Sequence, residues 1–213
     1  MTASMALTAL ALAAVVAAVP AAAAWTTTFT MHNLCPFPVW PLVTPNAGLP
    51  AIAAANGEYM RLDCNGLASL AFPAASAWSG RVVPRTGCDD TAATSPRCLT
   101  GDAPPATVAQ VSVNSPSGLA EYSVSLVDGF NVPTSITPHG FESGQRCPVL
   151  GCAVDINAEC PGGAKVGGGG CMASPQFFKV RCPDARTTTT DVEETPQNCI
   201  GPGELKVVFC PTS

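Results

Sequence analysis

With 213 residues, 21 Pro, 19 Gly, 11 Cys, 12% charged and 6% aromatic residues, the chain is not composed like a coiled coil, a histone-like nucleic-acid binder or a solvated tail. Its length suits one domain with one sizeable core. Ten Lys and Arg against fifteen Asp and Glu leave a net charge of −5, which opposes contact with a phosphate backbone, so nucleic acid is not an expected partner.

Residues 1–24 carry no charge and run from an apolar stretch into small residues at Ala21 to Ala24. That is the pattern of a cleaved secretory signal, although the n-region lacks Lys or Arg. A retained membrane anchor is the competing reading, because the stretch exceeds the roughly 20 residues that span a bilayer. Cleavage near Ala23 or Ala24 is expected, leaving residues 25–213 as one secreted, extracellular domain with no stable membrane insertion.

Four segments read as strands: 26–33 (T-T-T-F-T-M-H-N), 107–113 (T-V-A-Q-V-S-V), 121–127 (E-Y-S-V-S-L-V) and 204–210 (E-L-K-V-V-F-C). Each is short, partly alternating and bounded by turn residues. No segment after the leader shows a sustained helical period, so the body is expected to be an all-β sandwich or barrel. The Gly-rich stretch between Cys160 and Cys171 lacks the G-K-[ST] ending of a phosphate cradle and reads as a loop.

Eleven cysteines in an oxidising compartment read as a disulfide framework with one thiol left over. A zinc site has little support, since there is no C-x2-C pair and only His32 and His139 could add nitrogen ligands. Neither histidine has a partner suited to a triad, and no serine sits in a G-x-S-x-G setting. No cofactor is expected.

Several blocks in fixed order resemble the thaumatin-like, pathogenesis-related proteins of plants. They are F-T-M-H-N-L-C-P-F-P-V-W (29–40), R-T-G-C-D (85–89) with R-C-L-T-G-D (97–102), P-P-A-T-V-A-Q-V (104–111), Y-S-V-S-L-V-D-G-F-N-V-P (122–133), C-A-V-D-I-N-A-E-C-P (152–161), F-F-K-V-R-C-P-D-A (177–185) and L-K-V-V-F-C-P-T (205–212). The resemblance covers nearly all of the chain beyond residue 24 and is weakest between Trp40 and Arg81. It implies a thaumatin-like β-sandwich stapled by about five disulfides: Cys35–Cys210, Cys88–Cys98, Cys147–Cys199, Cys152–Cys182 and Cys160–Cys171. Cys64 has no family counterpart and is the expected unpaired thiol. Where the family carries a helical, disulfide-rich lobe between Cys171 and Phe177, only M-A-S-P-Q stands here, so the chain resembles the small, reduced type.

The resemblance also implies a cleft lined by an arginine and four acids. Here Ala103 stands at the arginine position, and Gln110 and Ser123 at two of the acids; Asp128 and Asp184 remain. Asp128, Asp184, Glu121 and Gln110 are therefore the candidate ligand-binding residues, with Glu121 on the same strand face as Ser123. The competing reading is that Asp128 caps its Asp-Gly turn and Asp184 serves a local loop. Among the scarce aromatics, Trp25, Trp40, Trp78, Tyr59, Phe37 and Phe141 are candidates for a sugar-stacking platform or, equally, for the core. With most acids missing, no catalytic residue is assigned.

The expected function is that of a secreted, apoplastic, antifungal defence protein, a non-catalytic monomer that binds β-1,3-glucan of a fungal or plant wall. The alternatives are an inhibitor of a microbial glycoside hydrolase such as a xylanase, acting through the loops 41–56 or 141–145, and a weak endo-β-1,3-glucanase.

Overall fold

A computed structural model describes residues 27–52, 60–72, 77–89 and 96–212. The leader 1–24, Trp25, Tyr59 and part of the loop 41–56 lie outside the described residues.

The alternation of each strand divides its side chains between two faces, and two sheets stack through the apolar ones. The strands are β1 (Thr28–Asn33), β2 (Trp40–Pro45), β3 (Leu67–Ala71), β4 (Trp78–Arg85), β5 (Val108–Val113), β6 (Glu121–Ser125), β7 (Thr134–His139), β8 (Leu150–Cys152), β9 (Lys165–Val166), β10 (Gly170–Cys171) and β11 (Glu204–Phe209). A five-stranded sheet has the order β3-β1-β11-β7-β8, and a four-stranded sheet the order β2-β4-β5-β6; β9 and β10 form a separate hairpin. Strand β1 runs parallel to β11, with Thr28 opposite Glu204 and Asn33 opposite Phe209. The core between the sheets is built on Phe29, Trp78, Val111, Tyr122, Ile136 and Phe209.

The four strands expected from the sequence are found as β1, β5, β6 and β11 with slightly trimmed ends. The remaining strands include three that contain proline, and each proline sits where a missing amide costs no ladder bond. Strand β2, with Pro41 and Pro45, is a sheet edge. Pro84 of β4 lies beyond the stretch paired with β5, which spans Trp78 to Val82. Pro138 of β7 lies beyond the stretch paired with β8, which spans Thr134 to Ile136.

The five disulfides join the cysteines that the family resemblance pairs: Cys35–Cys210, Cys88–Cys98, Cys147–Cys199, Cys152–Cys182 and Cys160–Cys171. Cys35–Cys210 closes 175 residues of chain, a large restriction of the unfolded state. Cys64 is unpaired and exposed.

Beyond β8 the chain packs Ile156, Phe178 and Ala185 against Leu126 and Phe130 of the turn after β6, a second small core sealed by Cys152–Cys182 and Cys160–Cys171. Two short helices build it, α1 (Ile156–Glu159) and α2 (Pro175–Arg181). Ser174 caps α2 by accepting from the Phe177 amide at 3.3 Å, and Pro175 opens its first turn. At seven residues, α2 is too short to impose an apolar period on the sequence. No described helix is long and apolar enough to cross a membrane.

Candidate functional site

The outward face of the four-stranded sheet is polar because its alternate residues are polar. Cross-strand register places Arg81, Gln110 and Ser123 in one row over β4, β5 and β6, and Ser79, Ser112 and Glu121 in the next. Asn46, just past β2, reaches this face, its side-chain amide donating to Ser79 Oγ at 2.8 Å. On the far side of these strands Trp78, Val82, Val111, Tyr122 and Val124 point into the core, so the rows rest on a packed floor.

A wall rises at the β6 edge from the strap of residues 186–197. Arg186 joins β6 through its backbone, its N–H donating to Val124 O at 2.8 Å while its carbonyl accepts from the Leu126 amide at 2.7 Å. Its guanidinium forks onto Glu193, Nε to Oε1 at 2.8 Å and Nη2 to Oε2 at 3.2 Å. The Gln197 amide covers the open edge of β6, donating to Tyr122 O and accepting from Tyr122 N. Within the strap, Asp191 accepts from the Thr187 amide and hydroxyl and from the Thr188 hydroxyl at 2.7–2.9 Å. Those bonds, the Thr187 amide first, hold its carboxyl well below the usual carboxylate range.

Floor and wall enclose an open cleft of about 470 Å³, lined by Arg81, Gln110, Glu121, Ser123, Arg186, Glu193 and the neighbouring polar groups. Ser123 Oγ donates to Gln110 Oε1 at 3.4 Å. Burial, with the Glu193 charge a lesser influence, pushes the Tyr122 phenol far above its ordinary pKa. The phenol donates to Pro148 O at 2.7 Å, which ties it to the backbone before β8.

The sequence-derived candidates separate into two places. Gln110 and Glu121 line the cleft. Asp128 is exposed in the turn after β6, where its carbonyl accepts from the Ala106 amide at 2.9 Å, and Asp184 is half-buried in the turn after α2. Neither of those two aspartates is among the cleft's lining residues. Of the aromatic candidates, Trp78 is buried, with its indole N–H on Pro50 O, and Phe141 is half-exposed on a loop. Phe37 and Trp40 border a different cavity of about 350 Å³ beside the β9–β10 hairpin. Among the described residues no group of His, Cys, Asp or Glu could hold a metal ion.

Arg81, Arg186, Glu193 and Gln197 were not singled out from sequence. Arg81 alternates with Val82 in S-G-R-V-V, a signal masked by the glycine and by the nearby proline. The strap has no periodic pattern at all.

The sequence model of the thaumatin family matches residues 33–175. An osmotin-like protein of Solanum lycopersicum is 35% identical over 228 aligned positions, spanning 85% of this chain and 87% of that protein. Pathogenesis-related protein 5 of Arabidopsis thaliana is 33% identical over 230, spanning 87% and 90%. Among solved structures, a thaumatin-like xylanase inhibitor superposes with a TM-score of 0.54 at 26% identity, covering 86% of this chain and 99% of that one.

Proposed function

The chain belongs to the thaumatin family, and from that premise we propose that it is a secreted defence protein that binds cell-wall polysaccharide without cleaving it, with β-1,3-glucan the ligand class. The pathogenesis-related relative supports the defence role. The observation that carries the binding role is the cleft itself, about 470 Å³ of open space over a floor of amide, hydroxyl and guanidinium groups. Such groups exchange hydrogen bonds with sugar hydroxyls, and a rigid sheet fixes the backbone beneath them, which lowers the ordering cost of binding.

Hydrolysis finds little support in the same geometry. Glycoside cleavage uses two carboxyl groups flanking one bond. Of the two that line the cleft, Glu193 is committed to the Arg186 fork, which leaves Glu121 without a second carboxylate.

Co-sedimentation with insoluble β-1,3-glucan tests the reading. Wild type is expected in the pellet, the Gln110→Ala, Glu121→Ala double variant in the supernatant, and the Asp128→Ala, Asp184→Ala double variant in the pellet. Wild type remaining in the supernatant contradicts the reading.

A second reading, inhibition of a microbial glycoside hydrolase, draws on the likeness to the solved xylanase inhibitor. It would use the loop around the half-exposed Phe141 rather than the cleft. Residual xylanase activity on titration with the protein separates the two.

A further inference from the structure

We propose that the cleft selects wall polysaccharides that carry carboxylates, the uronic-acid class, over neutral glucans, with Arg81 as the anchoring group. This rests on the reading that the cleft holds wall polysaccharide: β-1,3-glucan remains a ligand, and the acidic class is the one held more tightly.

Four charged side chains line the cleft: Arg81, Arg186, Glu121 and Glu193. Arg186 and Glu193 cancel through their two-bond fork, so the charges available to a ligand are Arg81 and Glu121. These sit on β4 and β6 with β5 between them and one row apart. Two inter-strand spacings of about 4.8 Å and the diagonal offset keep them from bridging each other directly.

The cross-strand neighbours of Arg81 are Thr44 on β2 and Gln110 on β5, both uncharged. Arg81 is exposed, and its guanidinium makes no ion pair or hydrogen bond among the described residues. Gln110 engages its carbonyl oxygen with Ser123, which draws that acceptor toward β6 and away from β4. The guanidinium therefore presents an unspent fork of donors into the cleft. A carboxylate matches that fork with two parallel charge-assisted bonds, roughly twice as strong as neutral ones, whereas a neutral sugar offers only hydroxyls. Glu121, an acceptor at the other row, takes sugar hydroxyls and repels a carboxylate. The two charges thus fix the direction in which an acidic chain lies, with its carboxylate toward Arg81.

The test is calorimetric titration of the whole secreted protein with three probes: tetragalacturonate, its methyl ester and laminaritetraose. Wild type is expected to bind tetragalacturonate about tenfold more tightly than laminaritetraose, with the methyl ester close to laminaritetraose. The preference should narrow at high salt, as the charge–charge contribution is screened. Arg81→Gln is expected to remove the difference between the acidic and neutral probes, and Arg81→Lys to keep part of it, which guards against misreading a fold defect. Equal affinities in wild type, or a preference that persists in Arg81→Gln, overturn the selectivity while leaving the cleft a sugar site. Binding of none of the three probes overturns the cleft reading as well.

Discussion

Arg186 and Glu193 meet through two hydrogen bonds of 2.8 and 3.2 Å, and this fork is what turns an irregular strap into a wall for the cleft. The Glu193 carboxylate is largely buried, with 13% of its side-chain surface exposed, while Arg186 keeps 36%. Bidentate geometry and partial burial raise the pair above an ordinary surface ion pair.

Replacing Glu193 by Gln keeps the shape and removes the charge. The expected cost is about 1 kcal/mol in unfolding free energy, read from urea denaturation, together with weakened sugar binding because the wall loosens. Unchanged stability and binding would show that the strap stands without the fork.

Asp191 organises the other end of the strap. Its folded-state pKa is depressed, so its stabilising contribution is fully present above the unfolded-state value near 3.8 and fades as pH falls below it. Asp191→Asn is therefore expected to melt below wild type at pH 7, by an amount equivalent to about 1 kcal/mol. The gap should shrink at pH 2.5, where the unfolded chain's Asp191 carboxyl is already protonated while the native one is still held ionised. Thermal melts at the two pH values check this, and a gap that widens in acid would contradict it.

The turn after β6 depends on Gly129, at φ +89°. A Cβ there would stand 2.8 Å from Cys171 O and 2.6 Å from Met172 Sδ, against the bridge that ties Phe130 to Cys171. Gly144 has nearly the same φ, +90°, but open space around it. Gly129→Ala is expected to cost about 3 kcal/mol and Gly144→Ala about 1 kcal/mol, since only the former adds a clash with backbone to the left-handed strain. Equal losses by chemical denaturation would remove the packing part of this argument.

Cys64 stands exposed and outside the five bridges. Thiol titration of the native protein is expected to find one reactive group, absent in Cys64→Ser, with stability unchanged within about 0.5 kcal/mol. A second thiol, or a large loss of stability, would show a different pairing.

How much the sequence disclosed follows from how each element is held. Strands β1, β5, β6 and β11 carry β-branched or aromatic residues in partial alternation, and the register they adopt puts Gln110 and Glu121 outward. Strands β2, β4 and β7 are obscured by proline, and in β4 also by glycine; the prolines stand only on an edge strand or beyond the stretch paired with one neighbour. The strap is shaped by side chain to backbone bonds such as Asp191 to Thr187, which leave no periodic trace. The disulfide pairing came from family resemblance, since spacing alone permits many connectivities. The site was legible in part. Gln110 follows from the family's acidic position and Glu121 from its strand face, whereas Arg186 and Glu193 enter the cleft through the strap's tertiary docking on β6.

The central claim is that the outward face of the four-stranded sheet is where ligand binds. Backbone amide shifts recorded during titration of the isotope-labelled protein with laminarihexaose test it most directly. The account predicts that the perturbed amides cluster at Arg81, Gln110, Ser112, Glu121 and Ser123, with the strap around Arg186 and Glu193 following. Perturbations centred instead on Phe37 and Trp40 or on the Phe141 loop, or none at saturating sugar, would contradict it.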